Sequence, residues 1–99
     1  MKVVLSEAAR ASLREIALFI ARDNKQRARS FVRELQAKAR ELGEMPHAFP
    51  LVPRYESLGI RRRPFRDYLI FYCVEDDHVA IVHILHGAKD YEAVLFPQE

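Results

Sequence analysis

Cysteine occurs once in these 99 residues, glycine three times, and no apolar run approaches the length needed to cross a bilayer. The lone Cys73 excludes an intrachain disulfide and fits a reducing cytosol. It sits in an apolar run, so it is expected to pack as a small hydrophobe rather than to act as a nucleophile. Three glycines leave no material for a glycine-rich phosphate loop. The four histidines, His47, His78, His83 and His86, lack ligand spacing, and neither a Ser-His-Asp nor a Cys-His arrangement can be assembled. No metal and no cofactor are expected. The start, "MKVVLSEAAR", has three apolar residues before polar ones, too few for a signal peptide, so the expected location is the cytoplasm.

Basic charge is scarce after residue 67. Fifteen of the sixteen Lys/Arg precede it, with only Lys89 beyond. The net charge of +2 thus hides a basic front and an acidic rear, and any anion-binding reading must rest on local clusters rather than on overall charge. The hydrophobic share of 49% suits one modest core, so residues 1–99 are read as a single domain.

Lys2–Leu5 is a short β-branched run and reads as a strand. Ser6, followed by Glu7, looks like a helix N-cap with an acidic first turn. Ala9, Leu13, Ile16, Ala17 and Ile20 then recur at helical spacing, with a break at Asp23-Asn24. Ala28, Phe31, Val32, Leu35, Ala39 and Leu42 repeat the pattern up to Gly43. Two such stripes joined by a few residues form an antiparallel helical hairpin. The segment "MPHAFPLVPRYESLG" carries three prolines in eight residues and is a loop. Beyond it, residues 59–63, 68–74 and 79–86 read as three strands, with turns at "PFRD" and "EDDH". The expected fold is α+β in the order β-α-α-β-β-β, a helical hairpin on one face of a small, largely antiparallel sheet.

That sheet is too apolar for two helices. Tyr68, Ile70, Tyr72 and Val74 alternate with Leu69, Phe71 and Cys73, and both sets are apolar. In the next strand Val79, Ile81, His83 and Leu85 are assigned to one side and Ala80, Val82, Ile84 and His86 to the other. Both faces therefore ask for cover. The far face is closed by the long loop, through Phe49, Leu51 and Tyr55, by the C-terminal tail, or by a bound partner.

Two polar groupings remain. Arg61, Arg62, Arg63 and Arg66 stand at the entrance of the apolar strand and suit phosphates or carboxylates, which a planar guanidinium grips with two parallel bonds. The bland alternative is an edge strand kept soluble by charge. Alternation puts Arg61 and Arg63 on one side and Arg62 on the other. "HGAKDYE" offers His86, Lys89 and Tyr91, residue types able to supply acid-base chemistry at a phosphodiester; the bland alternative is a locally bonded His86 and a packed Tyr91.

Taken together, "LSEAARASLREIALFIARDNKQRARSFVRELQAKARELGEMPHAF" and "GIRRRPFRDYLIFYCVEDDHVAIVHILHGAKDYEAVL" resemble the ParE branch of the RelE/ParE superfamily of bacterial toxins. The likeness runs from about Leu5 to Leu95, and its most specific parts are Arg61 before "YLIFY", the acidic hairpin "EDD", and "ILHGAKD". The resemblance implies a toxin neutralised in a hetero-oligomer by a ParD-like ribbon-helix-helix antitoxin whose C-terminal arm folds into a groove. It also implies DNA gyrase as the target, without direct sequence-specific binding of nucleic acid and without enzymatic activity. The alternative within the superfamily is a RelE-type, ribosome-dependent mRNA endoribonuclease, for which Arg61, His86 and Tyr91 would be the catalytic residues. Lys25-Gln26 stands where proline is common, Cys73 where a basic residue is common, and Lys89 where arginine is frequent. Leu95 falls about where such nucleases carry a catalytic tyrosine, which counts against cleavage. Target- or antitoxin-binding residues are expected at Arg61, Arg62, Arg63, Arg66, His86 and Lys89, with Tyr68, Ile70, Tyr72 and Val82 lining the groove.

Overall fold

The computed structural model describes residues 1–97; Gln98 and Glu99, the end of the tail read as acidic, lie outside the described residues. Its elements are β1 (Lys2–Leu5), α1 (Glu7–Ala21), α2 (Lys25–Glu41), β2 (Ile60–Phe65), β3 (Tyr68–Val74), β4 (His78–His86) and a short α3 (Tyr91–Leu95). A single 3-10 turn, Glu56–Leu58, closes the long loop at Gly59, whose φ of +74° is the left-handed conformation that favours glycine. The strands lie in the order β1-β4-β3-β2, with β1 parallel to β4 and the other pairs antiparallel. The order and class expected from the sequence are those observed. The tail differs: Asp90 caps a helical turn through Oδ1 and Ala93 N at 3.4 Å, a single turn too short for apolar periodicity to reveal.

Each long helix begins where its capping residue dictates. Ser6 Oγ accepts from Ala9 N at 3.0 Å, and Asn24 Oδ1 accepts from Arg27 N at 2.9 Å. Both helices lay their apolar stripes on one face of the sheet. Leu13, Ile16, Phe31 and Leu35 pack there against Ile70, Tyr72, Ile81 and Ile84. Glycine is required after α2, because a Cβ on Gly43 would sit 2.2 Å from the carbonyl oxygen of Met1.

The opposite face holds a second, smaller cluster: Phe71, Leu85 and Val52, with Tyr55, Tyr91 and Phe96 packed on it. Loop and tail thus close this face together. Of the three loop residues expected as a lid, Tyr55 serves, stacking on Phe96 with centroids 3.9 Å apart. Phe49 instead packs on the helix side, and Leu51 bridges to Arg61 along the sheet edge. Val52, between them, is the loop residue that is fully buried.

The alternation assigned to β4 fails at one residue. Phe71 pairs with His83 but Tyr72 pairs with Ile81, so Val82 is the extra residue of a β-bulge. Val79 and Ile81 face the helices, and after the bulge Ile84 does too, while His83 pairs opposite Phe71 and Leu85 joins the far cluster. The bulge is held from the start of the chain: Ser6 Oγ donates to Val82 O at 2.9 Å, and Ser6 N donates to Ile81 O at 2.9 Å. One serine therefore caps α1, ends β1 and fixes the irregularity in β4.

Candidate functional site

The arginines of β2 leave the strand on alternate sides, as the sequence implies, and the fold uses most of them internally. Arg63 is only 8% exposed. Its guanidinium donates to Lys38 O at 3.0 Å, pairs with Glu41 at 3.0 Å and lies 4.9 Å above the Phe49 ring centroid. Arg61 donates to Phe49 O at 2.7 Å. These two tie the long loop and α2 to the edge strand from the helix side. On the other side Arg62 donates to Tyr91 Oη at 2.6 Å and stacks on the same ring, which holds α3 down on Phe71. Carboxylates answer in kind: the hydrogen bond from Arg63 lowers the Glu41 pKa below the ordinary range, and the one from Arg27 does the same for Glu34.

Arg66 behaves differently. It occupies the β2–β3 turn with φ +55°, stays exposed, and reaches Glu34 only at 3.6 Å. Gly87 N donates to Asp67 O at 2.7 Å, so this turn abuts the exit from β4, "HGAK". His86 is exposed there; its Nδ1 accepts from Ala88 N at 3.1 Å, which leaves Nε2 to carry the proton of the neutral ring. Its ring meets Tyr68 edge-on at 5.3 Å. A small open cleft of about 180 Å³ runs from here to α1, lined by Tyr68, Ile84, His86 and Lys89 with Glu15, Ile16 and Phe19.

The fold thus brings Tyr68, His86 and Lys89 together at one end of the sheet, with Arg66 on the adjoining turn. It does not bring in Ile70 and Tyr72, which are fully buried beneath the helices and offer no surface to a partner. Tyr72 donates to Pro46 O at 2.8 Å, and burial pushes its pKa up. Val82 is half-buried at the bulge on the far cluster. Burial also raises the Cys73 thiol, as a packed, unreactive side chain requires.

Arg61, His86 and Tyr91, the three residues of the nuclease alternative, are not convergent. Arg61 reaches the helix side and Tyr91 packs on the other face. His86 pairs with Tyr68 while Arg61 pairs with Tyr72, four residues along β3, or about 13 Å. Among the described residues no group of three or more His, Cys, Asp or Glu could hold a metal ion, and no helix is long and apolar enough to cross a membrane.

Two functional candidates fall outside the sequence assignment. Leu18 and Phe19 near the end of α1 are 71% and 63% exposed, adjacent apolar side chains at the tip of the hairpin. Their signal is visible in "IALFIA": six apolar residues in a row exceed what one stripe of an amphipathic helix can bury, and Ile16, Ala17 and Ile20 already belong to that stripe.

Residues 3–91 match the family model described as the ParE toxin of the type II toxin-antitoxin system, parDE. No curated protein sequence matches significantly. Among solved structures, one described as the chromosomal ParDE TA system from P. aeruginosa superposes with a TM-score of 0.71 at 16% identity, covering 87% of this chain and 95% of that one. The structural likeness is one of fold; the family match spans nearly the whole described chain. This chain belongs to the ParE toxin family of type II toxin-antitoxin systems.

Proposed function

We propose that the chain is a cytoplasmic, non-enzymatic toxin that binds DNA gyrase and stalls it, and that a ParD-like ribbon-helix-helix antitoxin neutralises it in a hetero-oligomer. The observation that carries the non-enzymatic reading is the dispersal of Arg61, His86 and Tyr91. General acid-base cleavage needs its groups within hydrogen-bond reach of one scissile phosphate, and these stand on two faces and about 13 Å apart along the sheet. Tyr91 is further committed, its hydroxyl accepting from Arg62 and its ring packed on Phe71.

For recognition the surface is better suited. His86 and Lys89 flank the half-buried Tyr68 in a cleft that also takes in Phe19 and Glu15, with Arg66 on the adjoining turn, an apolar centre with a polar rim of the kind that anchors protein partners. Arg61, Arg62 and Arg63 lie outside this cleft and instead hold the long loop, α2 and α3 to the edge strand. The test is gyrase supercoiling with purified protein. Inhibition by the wild type, weakened at least tenfold in Arg66→Ala/Lys89→Ala, is expected; full supercoiling at saturating toxin overturns the reading. Primer extension on cellular mRNA after induction would show codon-linked cuts if the ribonuclease alternative held.

A further inference from the structure

The outer side of the helical hairpin, away from the sheet, gathers positive charge that nothing in the fold answers. Two shallow hollows meet there, one of about 480 Å³ between α1 and α2 and one of about 560 Å³ over the first turns of α2. Arg29 and Arg33 line both. Lys25 stands one turn before them, and Arg10 and Arg14 border the continuation of the first hollow along α1. Among the described residues no acidic side chain lines any of these surfaces. From Arg10 to Ala21, which shares a hollow with Lys25, the face is roughly 17 Å long.

Two regularities separate this charge from an ordinary solvated face. Lys25, Arg29 and Arg33 follow one another at four-residue spacing, as do Arg10 and Arg14, so like charges stack along each helix and work against the helix that carries them. The carboxylates that could relieve them are engaged on the other flank, where Arg27 and Arg66 share Glu34 while Lys38 and Arg63 share Glu41. None of the five outer cations is ion-paired among the described residues. Bare cations in register on one face, in a protein whose net charge is only +2, are the electrostatic footprint of a polyanion.

The chemistry of the face suits phosphate. A guanidinium grips a phosphate group with two parallel bonds, and the amide and hydroxyl groups beside Arg29 and Arg33, those of Asn24, Gln26 and Ser30, are of the types that hydrogen-bond a nucleic acid backbone. Small side chains, Ala17, Ala21 and Ala28, keep the floor between the two rows of cations low. One strand of a DNA duplex passes about five phosphates over this length. A second copy of this chain would bring like charge to like charge. The surface of an anionic bilayer is flat, whereas these cations border hollows that a rounded backbone can enter. The location agrees with the proposed target: Leu18 lines the outer hollow and its neighbour Phe19 the cleft at the sheet end, so a toxin seated on gyrase through that cleft holds this face close to the duplex that gyrase binds.

We propose that the outer face of the hairpin grips the sugar-phosphate backbone of duplex DNA, independently of sequence, with Arg29 and Arg33 as its central contacts, so that the toxin holds gyrase and DNA at once. The proposal deepens the gyrase reading and rests on it for the source of the duplex.

The experiment titrates the full chain into fluorescently labelled DNA duplexes of about 20 base pairs at several salt concentrations, and separately into gyrase with and without DNA. The wild type is expected to bind duplexes of unrelated sequence alike, with log K falling linearly in log salt. Arg29→Ala/Arg33→Ala, which changes only exposed positions, should bind them at least tenfold more weakly and lower the salt slope by about 2, near 0.9 for each lost contact. It should bind DNA-free gyrase as the wild type does, yet need at least tenfold more protein to stall gyrase on DNA. Arg29→Lys/Arg33→Lys should keep the slope, and Lys2→Ala/Arg54→Ala, an equal loss of charge elsewhere, should leave duplex binding unchanged. Equal duplex binding by Arg29→Ala/Arg33→Ala and wild type overturns the proposal while leaving gyrase inhibition standing. So does tighter binding of a glutamate polymer or of anionic phospholipid vesicles than of the duplex at matched charge. A wild type that binds the duplex but leaves supercoiling intact supports the cationic face and overturns the gyrase reading instead.

Discussion

Arg63 shows how far a residue's type can mislead about its place. In sequence it is one of four arginines in six residues, a cluster that reads as a surface. In the fold it is the one buried charged side chain among the described residues, held by Lys38 O, Glu41 and the Phe49 ring. Strand alternation correctly separates it from Arg62, but nothing local reveals that α2 presents a carbonyl and a carboxylate within reach. Arg63→Ala leaves Lys38 O without its donor, leaves Glu41 with Lys38 alone, and opens a gap over Phe49, so a loss of about 1–3 kcal/mol is expected in urea denaturation. Arg63→Met, which keeps the apolar stem, should lose less. Equal stability of Arg63→Ala and wild type would return this arginine to the surface reading.

At the scale of elements, β4 and α3 divide between what the sequence shows and what it hides. The strand's existence follows from "VAIVHILH", and its period is legible up to Ile81. The bulge at Val82 is not, because it depends on Ser6 arriving from β1 to hold the Ile81 and Val82 carbonyls. One consequence concerns His83, which the bulge delivers to the Phe71 side with Nδ1 buried and without a partner. Burial first, and then the Lys89 charge, hold its pKa below the ordinary 6.5. Well above pH 6.5 the ring is neutral folded or unfolded, and its full contribution is present. As pH falls below that value the unfolded chain takes up a proton that the folded chain resists, so stability is lost. His83→Phe should flatten the fall in melting temperature between about pH 7 and pH 5 relative to wild type; parallel curves would contradict this.

For the whole molecule, the surplus of apolar strand residues is already legible in the sequence as a second face that needs cover. It did not identify the cover, because Val52 and α3 act only through contacts across the fold. The two clusters share β3, whose Ile70 and Tyr72 serve one and Phe71 the other. They should therefore unfold together. Leu35→Ala in the first and Val52→Ala in the second are each expected to shift a single transition, the former by about 2–5 kcal/mol, with fluorescence and circular dichroism midpoints coinciding. Separate midpoints would mean two independent units.

The bond from Ser6 to Val82 spans 76 residues, and among the described residues β1 has no other strand beside it than β4. On the ribosome, where chains grow at about 5–20 residues per second, the first strand emerges and then waits for roughly 4–15 seconds before its neighbour exists. The completed sheet, and with it the surface around Tyr68 and His86 at its end, is therefore a product of the last part of synthesis, although the helical hairpin that packs on it has been made long before.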